Sequence, residues 1–128
     1  MIAQYWDETE DVLAKEIVSD WPTFLELVRR TETGSSGRGI PAIELSDEED
    51  VTCIFIRFEE GGCTVAMGDS EGLSWPDKFN NGGCEYVHYD YFGSWSEVPA
   101  NLVIPREKAL AAVKSFLETG DISPSVLL

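Results

Sequence analysis

The sequence predicts an α+β fold, in which a mainly antiparallel sheet of about five to seven strands carries two helices on one face. Two observations predict this class. Short runs rich in β-branched and aromatic residues are separated by acidic or glycine-containing turns, as is typical of antiparallel strands. Two other segments repeat their apolar residues at helical spacing. The 128 residues contain no internal repeat, so we expect a single domain over residues 1–128.

The first two elements are predicted to form a hairpin. Residues 2–6 and 12–18 are apolar runs on either side of the polar turn DETED. Runs of this length around a short polar turn are typical of two paired antiparallel strands.

The first helix is predicted from its cap and its apolar spacing. Ser19 or Asp20 can accept hydrogen bonds from the free amides of a helix start, and Pro22 is tolerated in the first turn. Arg29 and Arg30 are expected in the last turn, where cations suit the helix dipole. The predicted apolar face comprises Trp21, Phe24, Leu25 and Val28.

The middle of the chain predicts a meander followed by a long loop. After the polar connector TETGSSGRG, apolar runs occupy 40–45, 51–58 and 63–68. Both alternating sets of side chains are largely apolar in 51–58, so this strand should be central and covered on at least one face. Residues 69–83 are rich in glycine, proline, acids and amides, and they predict a long loop.

The C-terminal part predicts two further strands and the second helix. Residues 84–92 and 96–104 are the strands, and Pro99 keeps the latter at an edge or a bulge. Pro105 opens the helix and Gly120 supplies its left-handed cap. The predicted buried stripe of this helix comprises Ala109, Leu110, Val113, Phe116 and Leu117.

The charge balance restricts the kind of partner. There are 24 acidic and nine basic residues, a formal net charge of −15. Direct binding to nucleic acid or an anionic membrane is disfavoured, because such surfaces are neutralised by Lys and Arg. The charge suits a basic partner, whose encounter it would accelerate, although it also serves solubility alone.

The expected cellular location rests on membrane and signal segments and on the number of cysteines. No window approaches the roughly 18 consecutive apolar residues of a membrane helix, and the N-terminus has no signal pattern. Three cysteines, an odd number without metal-ligand spacing, are typical of reduced thiols. We therefore expect a cytoplasmic protein.

Few residues offer catalytic, cofactor or metal chemistry. The segment GSSGRG follows a helix and precedes a strand, which is the reverse of a phosphate-binding loop. His88 is the only histidine, and Cys84 would lie about 13 Å from it along one strand, too far for a dyad or a shared metal. The CxxC pair of a deaminase zinc site is absent. We predict no catalytic residue, no metal and no cofactor.

One enzymatic alternative stays open. Asp77 near Trp75, and Glu97 near Trp95, resemble the paired carboxylates and stacking rings of a glycosidase, although such juxtapositions arise by chance in so acidic a chain. The alternative function is therefore a small-ligand-binding or glycosidase-like domain with a pocket around residues 75–97.

The last third of the chain carries an ordered series of features. Gly82–Gly83 enter a strand, aromatic residues follow within it, and Ile104–Pro105 open the helix. The other members of the series are Tyr89, Tyr91, Phe92, Gly93, Trp95, Glu97, Pro99, Ala109–Leu110, Phe116, Thr119–Gly120 and Pro124. In this order and spacing, residues 82–126 resemble the immunity protein 1 family of bacterial polymorphic toxin systems.

The resemblance implies a small cytoplasmic α+β protein that binds a toxin domain tightly and protects the producing cell. Toxins paired with the family often have the cytidine-deaminase fold, and some of these act on nucleic acid, so the rim of the toxin's active site should be basic. The implied mechanism is occlusion of that site, with no chemistry by the immunity protein. The oligomeric state is left open.

Contacts with the partner are expected at three places. The long loop exposes large rings, which are favoured at interface centres, and the acidic turn 47–50 would form a steering rim. The rings of 89–95 are interpreted mainly as holding the fold, because a motif shared across pairs with different toxins should be structural. The predicted contact residues are Trp75, Asp77, Phe79, Asp47, Glu48, Glu49, Asp50, Trp95 and Glu97.

Overall fold

The computed structural model confirms the predicted α+β fold. It describes residues 1–7, 10, 12–34, 42–48, 50–58, 62–69, 72–74, 86–91, 94–99 and 102–120. The strands are β1 (Ile2–Asp7), β2 (Val12–Ile17), β3 (Ala42–Ser46), β4 (Thr52–Arg57), β5 (Gly62–Asp69), β6 (Gly72–Ser74), β7 (Tyr86–Tyr91), β8 (Ser94–Pro99) and β9 (Ile104–Pro105). The helices are α1 (Trp21–Gly34) and α2 (Arg106–Thr119).

Six strands form the main sheet in the order β2-β1-β3-β4-β5-β6, and the short β9 pairs with β5. Every pairing is antiparallel, and β7 and β8 form a separate two-stranded ribbon. The predicted N-terminal hairpin is confirmed, with Ile2 opposite Ile17 and Asp7 opposite Val12.

Both helices pack against one face of the main sheet, as predicted. Side chains of α1 and α2 share one core cluster with alternate residues of β1, β3, β4 and β5. The Phe24 ring of α1 meets the Phe55 ring of β4 edge-on, with centroids 6.1 Å apart. The buried members of this core are Ala3, Val18, Phe24, Leu27, Val28, Ile43, Leu45, Cys53, Phe55, Cys63, Val65, Ile104, Ala109, Ala112, Val113 and Phe116.

Strand β4 is central and buried on both faces, which confirms the prediction made from its composition. It lies between β3 and β5. Cys53 and Phe55 face the helices, while Ile54 and Ile56 face the other way, and all four side chains are almost fully buried. A strand covered on both sides needs apolar residues at its buried positions, and residues 53–56 supply them.

Helix α1 starts as predicted but its apolar face and its end differ from the prediction. Asp20 caps it, because its Oδ1 accepts a hydrogen bond from the Thr23 amide at 2.9 Å. Leu25 was predicted to be buried, but 39% of its surface is exposed, and Leu27 packs into the core instead. The buried positions are therefore Phe24, Leu27 and Val28, so the buried face of the helix includes Leu27 in place of Leu25.

The end of α1 was predicted wrongly because of contacts that are distant in sequence. The helix continues to Gly34, so Arg29 and Arg30 lie before its last turn. Arg30 pairs with Glu16 of β2, and Arg29 pairs with Glu26 within the helix. Glu32, in the extra turn, makes ion pairs to Arg57 and Arg106 that hold this turn against the sheet and α2.

Helix α2 has the predicted stop and most of the predicted stripe. Gly120 adopts φ 81°, and its amide donates to the Phe116 carbonyl at 2.7 Å, which is a left-handed cap. Pro105 is the cap residue before the helix. Ala112 is buried although the stripe omitted it, while Leu110 and Leu117 are only partly buried against the core.

Two strand boundaries also differ from the prediction. The predicted loop 69–83 contains the short β6, which pairs with the end of β5. The predicted strand 96–104 is two elements, β8 ending at Pro99 and β9 beginning at Ile104. Pro99 has no amide hydrogen to continue a ladder, and Ile104 instead pairs with Cys63 of β5.

Candidate functional site

The acidic turn after β3 is closed by hydrogen bonds to its first aspartate. The Asp47 Oδ1 accepts a hydrogen bond from the Val51 amide at 3.0 Å, and the Asp47 amide donates to the Val51 carbonyl at 3.1 Å. The Asp50 amide donates to the Asp47 carbonyl at 3.3 Å, and Asp50 adopts φ 62°. Asp47 therefore has a structural role in addition to its charge.

The other two described acids of this turn face solvent. Glu48 and Asp50 are both exposed. A Cβ atom placed on Gly120 would lie 3.9 Å from Asp47 Oδ2, so α2 ends beside the turn. The C-terminal end of a helix carries partial negative charge, which adds to the negative potential here. The described part of the turn is therefore negative, and its role as a steering rim stays a prediction.

Of the remaining predicted contact residues, only Trp95 and Glu97 lie among the described residues. Trp75, Asp77, Phe79 and Glu49 lie outside the described residues, so their roles stay predictions. In the β7–β8 ribbon, Glu97 is exposed and lies opposite His88. The backbone of Trp95 lies opposite Asp90. Because Asp77 lies outside the described residues, the structure does not test whether Asp77 and Glu97 form the paired carboxylates of the enzymatic alternative.

The two described cysteines are buried thiols without a disulfide. Burial raises the pKa of Cys53 to about 12. Burial also raises the pKa of Cys63 to about 11, partly opposed by the charges of Arg106 and Arg57. A thiol acts as a nucleophile or metal ligand in its thiolate form, so neither is prepared for that chemistry at neutral pH.

The described part of the chain shows no grouping of three or more His, Cys, Asp or Glu side chains that could hold a metal ion. Within the same residues, neither helix has the length and hydropathy required to cross a membrane.

Among the described residues, two arginines and one glutamate form a cluster at the junction of the two helices and the sheet. Glu32 Oε1 lies 3.3 Å from Arg57 Nε and 2.8 Å from Arg106 Nη2. These contacts are ion pairs without good hydrogen-bond geometry, since Oε1 is buried and has no hydrogen-bond partner in the described part of the chain. The cluster connects α1, β4 and α2, and this accounts for its two arginines as structural residues.

Sequence reasoning missed an exposed apolar surface on the N-terminal hairpin. Ile2 lies opposite Ile17, and Trp6 opposite Leu13, on the sheet face away from the helices. Ile17 is 76% exposed, Ile2 49% and Leu13 43%, while Trp6 is half-buried. We call these four residues the hairpin patch. The available signal was that both alternating sets of side chains in this hairpin contain apolar residues.

The described surface thus combines a hydrogen-bonded acidic turn with partly apolar exposed positions on one sheet face, which are features of a protein-binding domain. The sequence model of the family described as immunity protein Imm1 matches residues 23–127. The chain belongs to the Imm1 family of immunity proteins, and the resemblance found in residues 82–126 is confirmed. No curated protein matches the chain in sequence. Membership of this family implies a cognate toxin as partner and an inhibitory role without catalysis.

Proposed function

We propose that this protein binds the toxin domain of a cognate polymorphic toxin in the bacterial cytoplasm and inhibits it by covering its active site. The observation that carries the proposal is the Imm1 family match over residues 23–127. The toxin we propose has the cytidine-deaminase fold and acts on nucleic acid.

The charge of the protein supports a toxin of this kind. An enzyme that acts on nucleic acid must present a basic surface around its active site, because phosphates are bound by Lys and Arg. The immunity protein carries a net charge of −15, and Glu48 and Asp50 project from a hydrogen-bonded turn. These carboxylates would occupy the place of substrate phosphates and accelerate the encounter.

The proposed mechanism requires no chemical step by the immunity protein. A protein seated over the cleft excludes the nucleic acid by steric overlap, and its acidic rim neutralises the side chains that would bind the substrate. Trp75, Asp77 and Phe79 are proposed as central contacts, with Trp95 and Glu97 as further ones. Burying such rings in a desolvated centre is how a few residues dominate binding energy.

Co-expression tests the proposal. The toxin domain encoded beside the gene of this protein is expressed in a sensitive bacterial host, with and without the immunity protein. We expect full restoration of growth by this protein and none by an Imm1 protein from an unrelated toxin locus. Undiminished toxicity, with both proteins present in soluble form, would contradict the proposed function.

A further inference from the structure

We propose that the hairpin patch, together with the open edge of β2, is a docking surface for the cognate toxin domain, which adds one of its edge strands to β2. This inference rests on the proposed function and names the surface that would recognise the toxin. The occupant we infer is an extended segment with apolar side chains, flanked by Lys or Arg.

The main chain of β2 is prepared for strand addition. The Val18 amide donates to the Met1 carbonyl at 2.8 Å, and the Met1 amino group donates to the Val18 carbonyl at 3.0 Å. Because hydrogen-bonded and non-bonded pairs alternate in an antiparallel ladder, the amides and carbonyls of Leu13, Lys15 and Ile17 point away from β1. In the described sheet β2 is an end strand, so these groups line an open edge.

Two of these three residues, Leu13 and Ile17, also supply exposed apolar side chains. Leu13 and Ile17 belong to the hairpin patch, and their cross-strand neighbours Trp6 and Ile2 extend it onto β1. Single exposed apolar residues are ordinary, but paired ones beside an open strand edge are an aggregation hazard unless a partner covers them. An added strand would satisfy the main chain and cover the side chains together.

The edge strand is also fixed in position before binding. On the helix-facing side, Glu16 of β2 accepts a hydrogen bond from the Tyr5 hydroxyl at 3.0 Å and pairs with Arg30 of α1 at 2.6 Å. These contacts attach β2 to both β1 and α1. A preformed surface loses less conformational entropy on association than a loose one.

Acidic groups lie at both ends of the patch, which indicates a basic partner. At one end Ile2 lies opposite Ser46, the residue that precedes the turn with Glu48 and Asp50. At the other end, Asp7 is the last residue of β1 and the exposed Glu10 lies in the turn after it, where the Glu10 amide donates to Asp7 Oδ1 at 3.2 Å. Between the two apolar pairs of the patch lies the polar pair Gln4–Lys15, so the surface is a mixed one with acidic groups at its ends.

A second copy of this chain is a poorer occupant. The antiparallel register that uses all three outward-pointing residues of β2 places Lys15 opposite its own equivalent, and like charges directly opposite are destabilising. Each copy also carries a net charge of −15. The same charge attracts a basic toxin domain.

The position of the hairpin in the sequence agrees with a role in recognising one particular toxin. The family match begins at residue 23, so β1 and β2 lie outside the matched region. Residues that distinguish one toxin from another should differ between immunity proteins, and a surface outside the shared region meets that requirement.

The test measures binding of the purified toxin domain encoded beside this gene to immobilised immunity-protein variants. Leu13→Ser and Ile17→Ser should each weaken the affinity at least tenfold. The matched control is Val12→Ser, on the same strand but the opposite face and 51% exposed, and it should change the affinity less than threefold. Thermal unfolding of each variant verifies that the fold is retained.

A second pair of variants tests the main-chain contacts. Lys15→Pro removes an amide that points to the open edge and leaves the ladder to β1 intact, so it should weaken toxin binding at least tenfold more than Lys15→Ala. Equal affinity for all variants would overturn the docking surface alone. Absence of binding by the unmodified protein would overturn the proposed function as well. A stable dimer of the free protein that Ile17→Ser dissociates would assign the surface to a second copy and would also overturn the proposal.

Discussion

The Glu32 carboxylate at the end of α1 lies 2.8 Å from the Arg106 guanidinium at the start of α2, and it also reaches Arg57 of β4. Three elements that are far apart in sequence therefore meet at one acidic side chain. Only 21% of the Glu32 side chain is exposed, so water screens this contact less than it screens a surface pair.

Replacing Glu32 by glutamine should lower the free energy of unfolding by about 1–2 kcal/mol, because two half-buried guanidinium groups lose their counter-charge. Urea denaturation followed by circular dichroism measures this change. The control is Glu26→Gln, which breaks the exposed pair with Arg29 and should leave the urea midpoint almost unchanged. Equal effects of the two substitutions would contradict the structural role of the cluster.

Replacing Thr64 by valine should stabilise the protein. The Thr64 hydroxyl is fully buried and has no hydrogen-bond partner among the described residues, so folding removes it from water without visible compensation. Valine has nearly the same shape, and the free energy of unfolding should rise by about 1 kcal/mol. The half-buried Thr52 lies on the same sheet face, and Thr52→Val should have a smaller effect because its environment is wetter. A loss of stability in Thr64→Val would mean that the hydroxyl is satisfied in solution.

Alkaline pH should destabilise the fold through its buried thiols. Burial raises the pKa of Cys53 to about 12 and that of Cys63 to about 11, from the ordinary thiol value of 9.0. The unfolded chain therefore loses these protons above about pH 9 while the folded chain keeps them, and the stabilisation is lost as pH rises toward 11 and 12. Each thiol contributes a slope that approaches about 1.4 kcal/mol per pH unit.

Denaturant titrations between pH 8.5 and roughly 10.5 measure this slope. The double variant Cys53→Ala/Cys63→Ala is less stable overall, since it leaves cavities, but its stability should fall less steeply with pH. Identical slopes for the two proteins would show that the thiols ionise equally in both states.

Neutralising the exposed acids of the turn should slow association with the toxin. In Glu48→Gln/Asp50→Asn the turn keeps its shape, because Asn tolerates the left-handed conformation of Asp50. The association rate constant at low salt should fall by roughly threefold or more, with little change in dissociation. Glu26→Gln/Glu107→Gln removes the same charge from two exposed helix positions, and its rate should stay closer to that of the unmodified protein. Equal slowing by both pairs would indicate that only net charge matters.

The parts of the fold that could be predicted from sequence are those decided by local pattern. The apolar run of β4 predicted a strand buried on both faces. Asp20 predicted a helix start because its carboxylate can accept from a free amide, and Gly120 predicted a helix end because glycine adopts positive φ. The end of α1 could not be predicted in this way, because Glu32 is held by Arg57 and Arg106 from distant elements. Local charge placement suggested an earlier stop.

For the candidate interface too, one part could be predicted from the sequence and another could not. The acidic turn was visible in the sequence as a run of carboxylates, and the structure adds that Asp47 fixes its shape. The hairpin patch was not predicted, because the sequence does not say which face of β1 and β2 the helices cover. The helices cover the face with Ala3, and this leaves Ile2 and Ile17 exposed on the other face. Only the packing of the core decides between the two faces.

The most direct test of the central claim is a titration of toxin activity with purified immunity protein. The toxin domain encoded beside the gene is assayed on single- and double-stranded nucleic acid, with deamination as the first readout, while increasing amounts of the immunity protein are added. The account predicts complete inhibition at a one-to-one ratio when the toxin is at nanomolar concentration. Full toxin activity in the presence of an excess of correctly folded immunity protein would contradict it.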